Sequence, residues 1–374
     1  MNWKVVEKGD NLGALIKVIG VGGCGGNAID HMVANGVEGV ETISANTDSQ
    51  ALTKNKAAEK IILGELNNNG QGAGGKPDVG RDMALDDYER LTTMFDGSDM
   101  VFIAAGMGGG TGTGAAPIVA RAAKEVGALA VAIVTKPMSL EFKDELAEIG
   151  IKELRSEVDS LITIPNQKLS EVFGGDCTML EAFGHANDVL LGAVRGIADI
   201  ITQTGYINVD FNDVRTVMAE QGVAMMGTGI ASGPSRAKDA AAQAVGSPLL
   251  EDINLQNAKG VLVNITGKGI KVGEIEDVLR QVSEFASTGA QIIHGAVEDK
   301  DMEGDIKVTI IATGLSDGSH TSDKRSEFKV ANDPYGRFQE VPTLGKVEGE
   351  GTKTEVSKKS DYLDIPSFVR KQID

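Results

Sequence analysis

At 374 residues the chain is long enough for two compact domains, because single cores stop growing near roughly 250 to 300 residues. Acidic residues outnumber Lys and Arg by 54 to 36, a formal charge of -18 that opposes attraction to DNA or an anionic membrane, so no direct nucleic-acid or membrane binding is expected. Cys24 and Cys177, the only cysteines, supply neither a disulfide framework nor a structural zinc site and suit a reducing cytoplasm, and the start MNWKVVEKGDNLGALIKVIG has no signal-peptide organisation.

Residues 1–13 read as a flexible N-terminal arm. ALIKVIG, from Ala14, reads as a buried strand running into VGGCGGNAIDHMV, a glycine turn that opens a helix. GVETISAN is a second strand ending at Asn46, Thr47 and Asp48. Residues 65–80 form a turn-rich loop, followed by helical pattern to about 95. DMVFIAAG is another strand, AAPIVARAAKEVG a helix that tolerates Pro117, and ALAVAIVT and VDSLITIPN further strands. Uniformly apolar strands alternating with helices predict a mostly parallel sheet covered on both faces across a domain at 14–178, with ligands beyond the C-terminal strand ends.

Residues 179–204 carry Phe183, Ala186, Leu190, Val194, Ile197 and Ile201 at steps of three and four, with further apolar residues off that stripe. This predicts a long central helix buried between two bodies of protein. Residues 205–221 hold NVDFNDVRTVM, and 222–316 read as a smaller α/β domain with strands GVAMMGTG, GVLVNITG, AQIIHGAV and IKVTIIATG. Residues 317–360, with eight acidic and eight basic residues and no apolar period, read as a flexible linker. In 361–374, DYLDIPSFVRKQID regains apolar residues around Pro366, enough for a segment that orders on a partner.

The densest glycine run, GMGGGTGTG at 106–114, follows a strand and feeds a helix. Glycine lets N–H groups converge on a ligand without a Cβ in the way, and a free helix N-terminus favours phosphate, so the run reads as a polyphosphate cradle with Thr111 and Thr113 adding hydroxyls. The alternative is that the glycines only permit a tight turn and close helix packing. Gly20, Gly22 and Gly25 alone satisfy G-x-G-x-x-G, with Asp48 where a ribose-binding acid is sought, which makes an NAD-dependent oxidoreductase a competing reading. GAGGKP at 72–77 lacks the order of a Walker loop.

GMGGGTGTG resembles the tubulin/FtsZ signature, and IKVIGVGGCGGNAI, NTDSQAL, ITIPN, AFGHANDVL, NVDFNDVRTVM and GVLVNITG follow in the order of the bacterial FtsZ family, with LDIPSFVRKQID resembling its partner-binding peptide. The resemblance implies a tubulin/FtsZ-like fold: a Rossmann-like GTPase domain joined by the central helix to a smaller α/β domain. It implies that Gly22, Gly23 and the 106–114 loop (Gly108, Gly109, Gly110, Thr111, Gly112, Thr113) hold the phosphates of GTP or GDP, with Mg2+ accompanying the nucleotide. It further implies that Gly72, Ala73 and Gly74 sense the γ-phosphate, that Asn27, Asn166, Phe183 and Asn187 lie near the base, and that Glu141 meets ribose or base edges. Phe183 and Asn187, four apart on a helix, share one face, which fits either base recognition or a core aromatic beside a surface amide.

Three positions depart from the family pattern: Glu145 stands where an arginine is usual, Cys24 interrupts a glycine run, and Gln71 replaces an apolar residue. Glu145 predicts weaker nucleotide handling unless Lys143 compensates, since lysine does not reproduce the arginine fork.

Asn208, Asp210 and Asp213 are candidates for orienting the attacking water, because the two acids have helix-turn spacing; the same spacing fits a helix cap. The resemblance implies that this loop enters the next subunit's pocket, so that a head-to-tail homopolymer completes the site, with Arg215 either supporting the acids or simply solvated. It also implies a membrane-linked division adaptor on 361–374 and a mid-cell ring beneath the inner membrane. A filament scaffold with weak GTPase activity is the leading alternative.

Overall fold

The structure, a computed structural model, describes residues 13–173, 177–203, 205–220, 222–250, 258–287 and 289–315, together with strands 331–332 and 338–339. The arm apart from Gly13, the 361–374 peptide and most of 317–360 lie outside the described residues. Residues 1–318 make one unit and 319–374 another, and within the second the described part is an antiparallel pair, Ala331 with Gln339 and Asn332 with Phe338.

The first half alternates strand and helix: β1 (Ile16–Val21), α1 (Gly22–Ala34), β2 (Glu41–Asn46), α2 (Ser49–Lys54), β3 (Glu59–Ile62), α3 (Glu65–Asn68), α4 (Pro77–Asp86), α5 (Tyr88–Phe95), β4 (Met100–Gly106), α6 (Thr111–Glu125), β5 (Leu129–Lys136), α7 (Asp144–Glu157), β6 (Ser160–Pro165) and α8 (Asn166–Phe173). All six strands run parallel in the order β3-β2-β1-β4-β5-β6. β1, β4 and β5 are buried almost end to end, as strands covered on both faces must be. One side packs Val18, Phe102 and Ile133 against α1 and α9; the other packs Ile19, Ile103 and Ala132 against α5 and α6.

α9 (Met179–Thr202) opens with a reciprocal cap in which Thr178 and Glu181 bond each other's backbone N–H, and its side chains from Ala186 to Ile200 are largely buried. After it come α10 (Phe211–Met218), β7 (Val223–Ser232), α11 (Arg236–Val245), β8 (Gly260–Gly267), α12 (Val272–Phe285), β9 (Gln291–Glu298) and β10 (Asp305–Leu315). The topology of the second half, which the sequence left open, is settled by β7: it pairs β6 through Leu161 with Val223 and Ile162 with Ala224, and the sheet continues to ten strands as β7-β10-β8-β9. The second half is mixed: β10 is antiparallel to β7 and β8, while β8 and β9 are parallel.

Two further departures have local causes. The loop expected over 65–80 contains α3 and the start of α4, whose first residue is Pro77, a position that needs no N–H donor. α6 begins at Thr111, inside the glycine run, four residues before the apolar pattern at Ala115.

Candidate functional site

The glycine run uses its glycines in two ways. Gly108 alone within it has a positive φ, +92°. Gly112 and Gly114 are helical, and a Cβ on either would fall 2.5 Å from the Gly106 carbonyl oxygen or 1.9 Å from that of Pro77. Close packing therefore explains part of the glycine density, alongside the cradle. The two glycine loops touch: Gly22, at φ +75°, would place a Cβ 2.9 Å from the Gly112 nitrogen.

A cavity of about 350 Å³ opens beyond the C-terminal ends of β1, β4 and β5. Among the expected residues, Gly23, Asn27, Gly109, Gly110, Thr111, Gly112, Glu141, Asn166, Phe183 and Asn187 line it. Gly22, Gly108 and Thr113 stand behind the lining. The Gly108 N–H donates to Thr113 Oγ1 at 2.9 Å, so that donor closes the loop on itself, and Thr113 is buried rather than offered to a ligand. Thr111 Oγ1 lies 2.6 Å from Thr47 Oγ1.

Gly72, Ala73 and Gly74 form a shelf beside the lining. Gly72 donates its N–H to the Thr47 carbonyl at 2.9 Å and accepts from Asn68 Nδ2 at 2.9 Å, and a Cβ on Gly110 would lie 3.0 Å from Ala73 Cβ. Gln71 bridges Asp48 through backbone pairing. Asp48 is engaged as the N-cap of α2, accepting from Gln50 and Ala51, as an Asx cap does. That local role accounts for Asp48 without a dinucleotide.

On the opposite wall, α9 presents Phe183 and Asn187 to the cavity and α1 presents Asn27. Asn166, 5% exposed, lines the cavity with its Oδ1 lacking any hydrogen-bond partner. A buried acceptor without a donor is costly, and guanine brings N–H donors on its pairing edge, so this wall fits a guanine nucleotide. Cys24 opens toward the cavity, yet dense protein around its sulfur, including Gly106, raises the thiol pKa by desolvation, and the hydrogen bond to Thr135 only partly opposes this. A protonated thiol is no nucleophile, which agrees with a small tolerated side chain.

The segment after β5 holds the Glu145 departure. Glu145 lies in the exposed first turn of α7 and does not line the cavity, whereas Lys143 does. Sequence reading also missed Thr135 and Pro137 in the lining; both sit where β5 ends, and strand-end position was the available signal.

Asn208, Asp210 and Asp213 do not join the cavity. α9 separates them from it: its 24 residues span about 36 Å. Asp210 caps α10, accepting from the Asp213 N–H at 2.9 Å, and Asn208 Oδ1 accepts from Gly205 N–H at 2.7 Å. All three are exposed. Arg215 donates to the Gly127 carbonyl at 3.3 Å, a contact to the main chain just before β5, at the end of the sheet opposite the cavity. Among the described residues no group of three His, Cys, Asp or Glu side chains is placed to hold a metal, and no helix is long and apolar enough to cross a membrane.

Two family models cover most of the folded chain: the tubulin/FtsZ family GTPase domain matches residues 15–174 and the FtsZ family C-terminal domain residues 222–316. The cell division protein FtsZ of Pseudomonas aeruginosa is 50% identical over 384 residues, covering 96% of this chain and 97% of that protein. Its counterpart in Buchnera aphidicola subsp. Schizaphis graminum is also 50% identical, covering 99% of each. Among solved structures, the empty FtsZ dimer of M. jannaschii is similar with a TM-score of 0.77 at 40% identity, over 81% of this chain and 89% of that one. CetZ1 of Haloferax volcanii, a GDP-bound monomer, shares the fold at 19% identity and a TM-score of 0.71, over 81% and 95% of the two chains. With such identity sustained along nearly its whole length, the chain belongs to the tubulin/FtsZ family, as an FtsZ-type cytoskeletal GTPase of cell division.

Proposed function

We propose that this GTPase hydrolyses GTP at junctions of a head-to-tail filament, where the phosphate cradle of one copy meets Asn208, Asp210 and Asp213 of the next. One observation carries the reading: the cavity and the acids lie at opposite ends of α9, and of β5, whose eight residues span about 26 Å. An acid so far from its own cavity acts on phosphate only through a second copy. A contact joining opposite ends of one molecule repeats without closing and gives an open filament.

At such a junction the cradle's N–H groups and the α6 N-terminus hold the phosphates while the neighbour supplies the water-positioning acids. Asp210 has one carboxylate oxygen occupied by the Asp213 N–H and the other open to solvent; Asp213 is exposed with its side chain one helical turn away. Both can orient or polarise water, and Asn208 adds amide donors without charge. Mg2+, if it accompanies the triphosphate, would neutralise part of its charge, the described residues offering no ligand cluster of three acids, His or Cys for it. Loss of the γ-phosphate is read by the Gly72, Ala73 and Gly74 shelf against Gly110, which couples nucleotide state to the contact. Residues 361–374 are the proposed docking peptide for a membrane-linked division adaptor, which ties the filament to a mid-cell ring beneath the inner membrane.

The weak-GTPase scaffold reading rests on the arginine missing at Glu145; Lys143 in the cavity lining supports turnover over it by supplying a cation there. The test is turnover per molecule across a protein concentration series, followed together with light scattering. Specific activity is expected to rise with assembly, and Asp213→Ala to retain GTP binding while losing about a hundredfold or more in turnover. Equal turnover by dilute, unassembled protein defeats the shared-site reading.

A further inference from the structure

Lys143 is the one cationic side chain among the described residues lining the cavity, which otherwise offers phosphate only backbone, hydroxyl and amide groups and one acid, Glu141. We infer that Lys143 is the phosphate-contacting cation of this pocket, held ready by Glu141, and that it occupies the role left by the missing arginine at 145. The inference rests on the GTP reading of the cavity, but not on the junction between copies.

Three features fix Lys143 there. Phe142, immediately before it, adopts the left-handed conformation at φ +54° although it is not glycine, and its ring is 92% exposed, so no packing of that ring accounts for the backbone turn. Such strain persists where surrounding structure over-determines it, commonly at ligand sites. Beyond the turn, the Lys143 stem packs on the phosphate loop: a Cβ on Gly108 would fall 2.9 Å from Lys143 Cβ and 3.2 Å from its carbonyl oxygen. That carbonyl is itself fixed, accepting from the Ala147 N–H at 2.9 Å as α7 begins.

The ammonium is restrained loosely. Lys143 Nζ lies 3.7 Å from Glu141 Oε2 with half its side chain exposed, a long, solvated pair of small worth. Glu141 Oε1 is anchored separately, accepting from the Met138 N–H at 3.0 Å. Phosphate, with more charge than a single carboxylate, draws the ammonium across the rim of the loop. Glu141 keeps its anchor, and Oε2 is released to accept from a ribose hydroxyl. The pair thus serves as a resting clamp that divides on ligand entry, cation to phosphate and anion to sugar.

The test uses the full chain kept below its assembly concentration and measures binding of GTP, GDP and guanosine to the wild type, Lys143→Gln, Lys143→Arg, Lys76→Gln and Glu145→Arg. Lys76→Gln makes the same change of net charge beside Gly110 but off the cavity lining. Lys143→Gln is expected to weaken GTP and GDP by about tenfold or more and guanosine not at all, and to flatten the salt dependence of GTP binding, with Lys143→Arg retaining most affinity. Glu145→Arg is expected to gain less than Lys143→Gln loses. An equal loss for guanosine, an equal loss in Lys76→Gln, or undiminished GTP binding in Lys143→Gln overturns the assignment. Failure of the wild type to bind any guanine nucleotide defeats the underlying reading instead.

Discussion

The two ends of α9 are constructed by opposite means. At its start, the cavity is walled by backbone in which Gly106, Gly110 and Gly112 admit no side chain, although Gly23 and Gly109 face open space, so function there is largely bound up with packing. At its far end, Asn208, Asp210 and Asp213 are exposed side chains on a short capped helix, and Asp210 and Asn208 have only local hydrogen bonds among their described contacts. At the first end, substitution of the crowded glycines carries a structural cost; the second can lose its chemistry and keep its fold. A filament pairing the ends as proposed would therefore couple a packed receptor to a set of acids that the fold itself does not need.

The contrast breaks most visibly at Gly112. Gly112→Ala forces a Cβ against the Gly106 carbonyl oxygen, with only backbone to move, and nucleotide affinity is expected to fall by about a hundredfold or more, measured by titration with a fluorescent GTP analogue. Retained affinity contradicts a cradle defined by packing.

Along the shaft between the ends, Asp199 is 7% exposed and burial raises its pKa to about 6, against the partial opposition of Arg195, Lys307 and the Gln203 amide and with Asp299 reinforcing the shift. Its folded pKa lies above the ordinary value of 3.8, so its stabilising share is full below that value and is lost as pH rises through about 6. Relative to Asp199→Asn, the wild type is expected to lose about 2 kcal/mol between pH 4 and pH 7, read as the difference in denaturant unfolding of the two proteins. Parallel pH profiles contradict a buried, protonatable shaft.

The smallest effect sharpens the acidic end. Asp210→Asn keeps a good cap but removes charge, and is expected to lower turnover with little change in melting temperature; Asp210→Ala also removes the cap and is expected to cost about 1 kcal/mol more in stability. Equal turnover in Asp210→Asn and the wild type restricts Asp210 to capping.

Much of this was legible in the sequence because periodicity and glycine spacing report local physics. The apolar runs of β1, β4 and β5 and the three-and-four spacing of α9 predict the elements observed. Their continuation into one sheet was not legible, since the join is two residues of β6 against two of β7, paired by backbone and unmarked by side-chain pattern. Nor was α8, whose eight residues follow Pro165 with only one or two turns to declare a period. At the site, spacing identified the glycine loops but could not tell which glycines serve a turn and which a close approach, and it drew attention to Glu145 when the cavity wall holds Lys143. Those distinctions depend on atoms distant in sequence.

The unpartnered Oδ1 of Asn166 also bears on discrimination among purines. A base that brings a hydrogen to that oxygen recovers a desolvation penalty of about 1 to 3 kcal/mol; guanine presents two neighbouring donors on its pairing edge, N1–H and its amine, whereas adenine presents one, its amine, beside the bare N1 lone pair. The wall therefore favours a base rich in donors on that edge, a preference built into one copy before any neighbour docks.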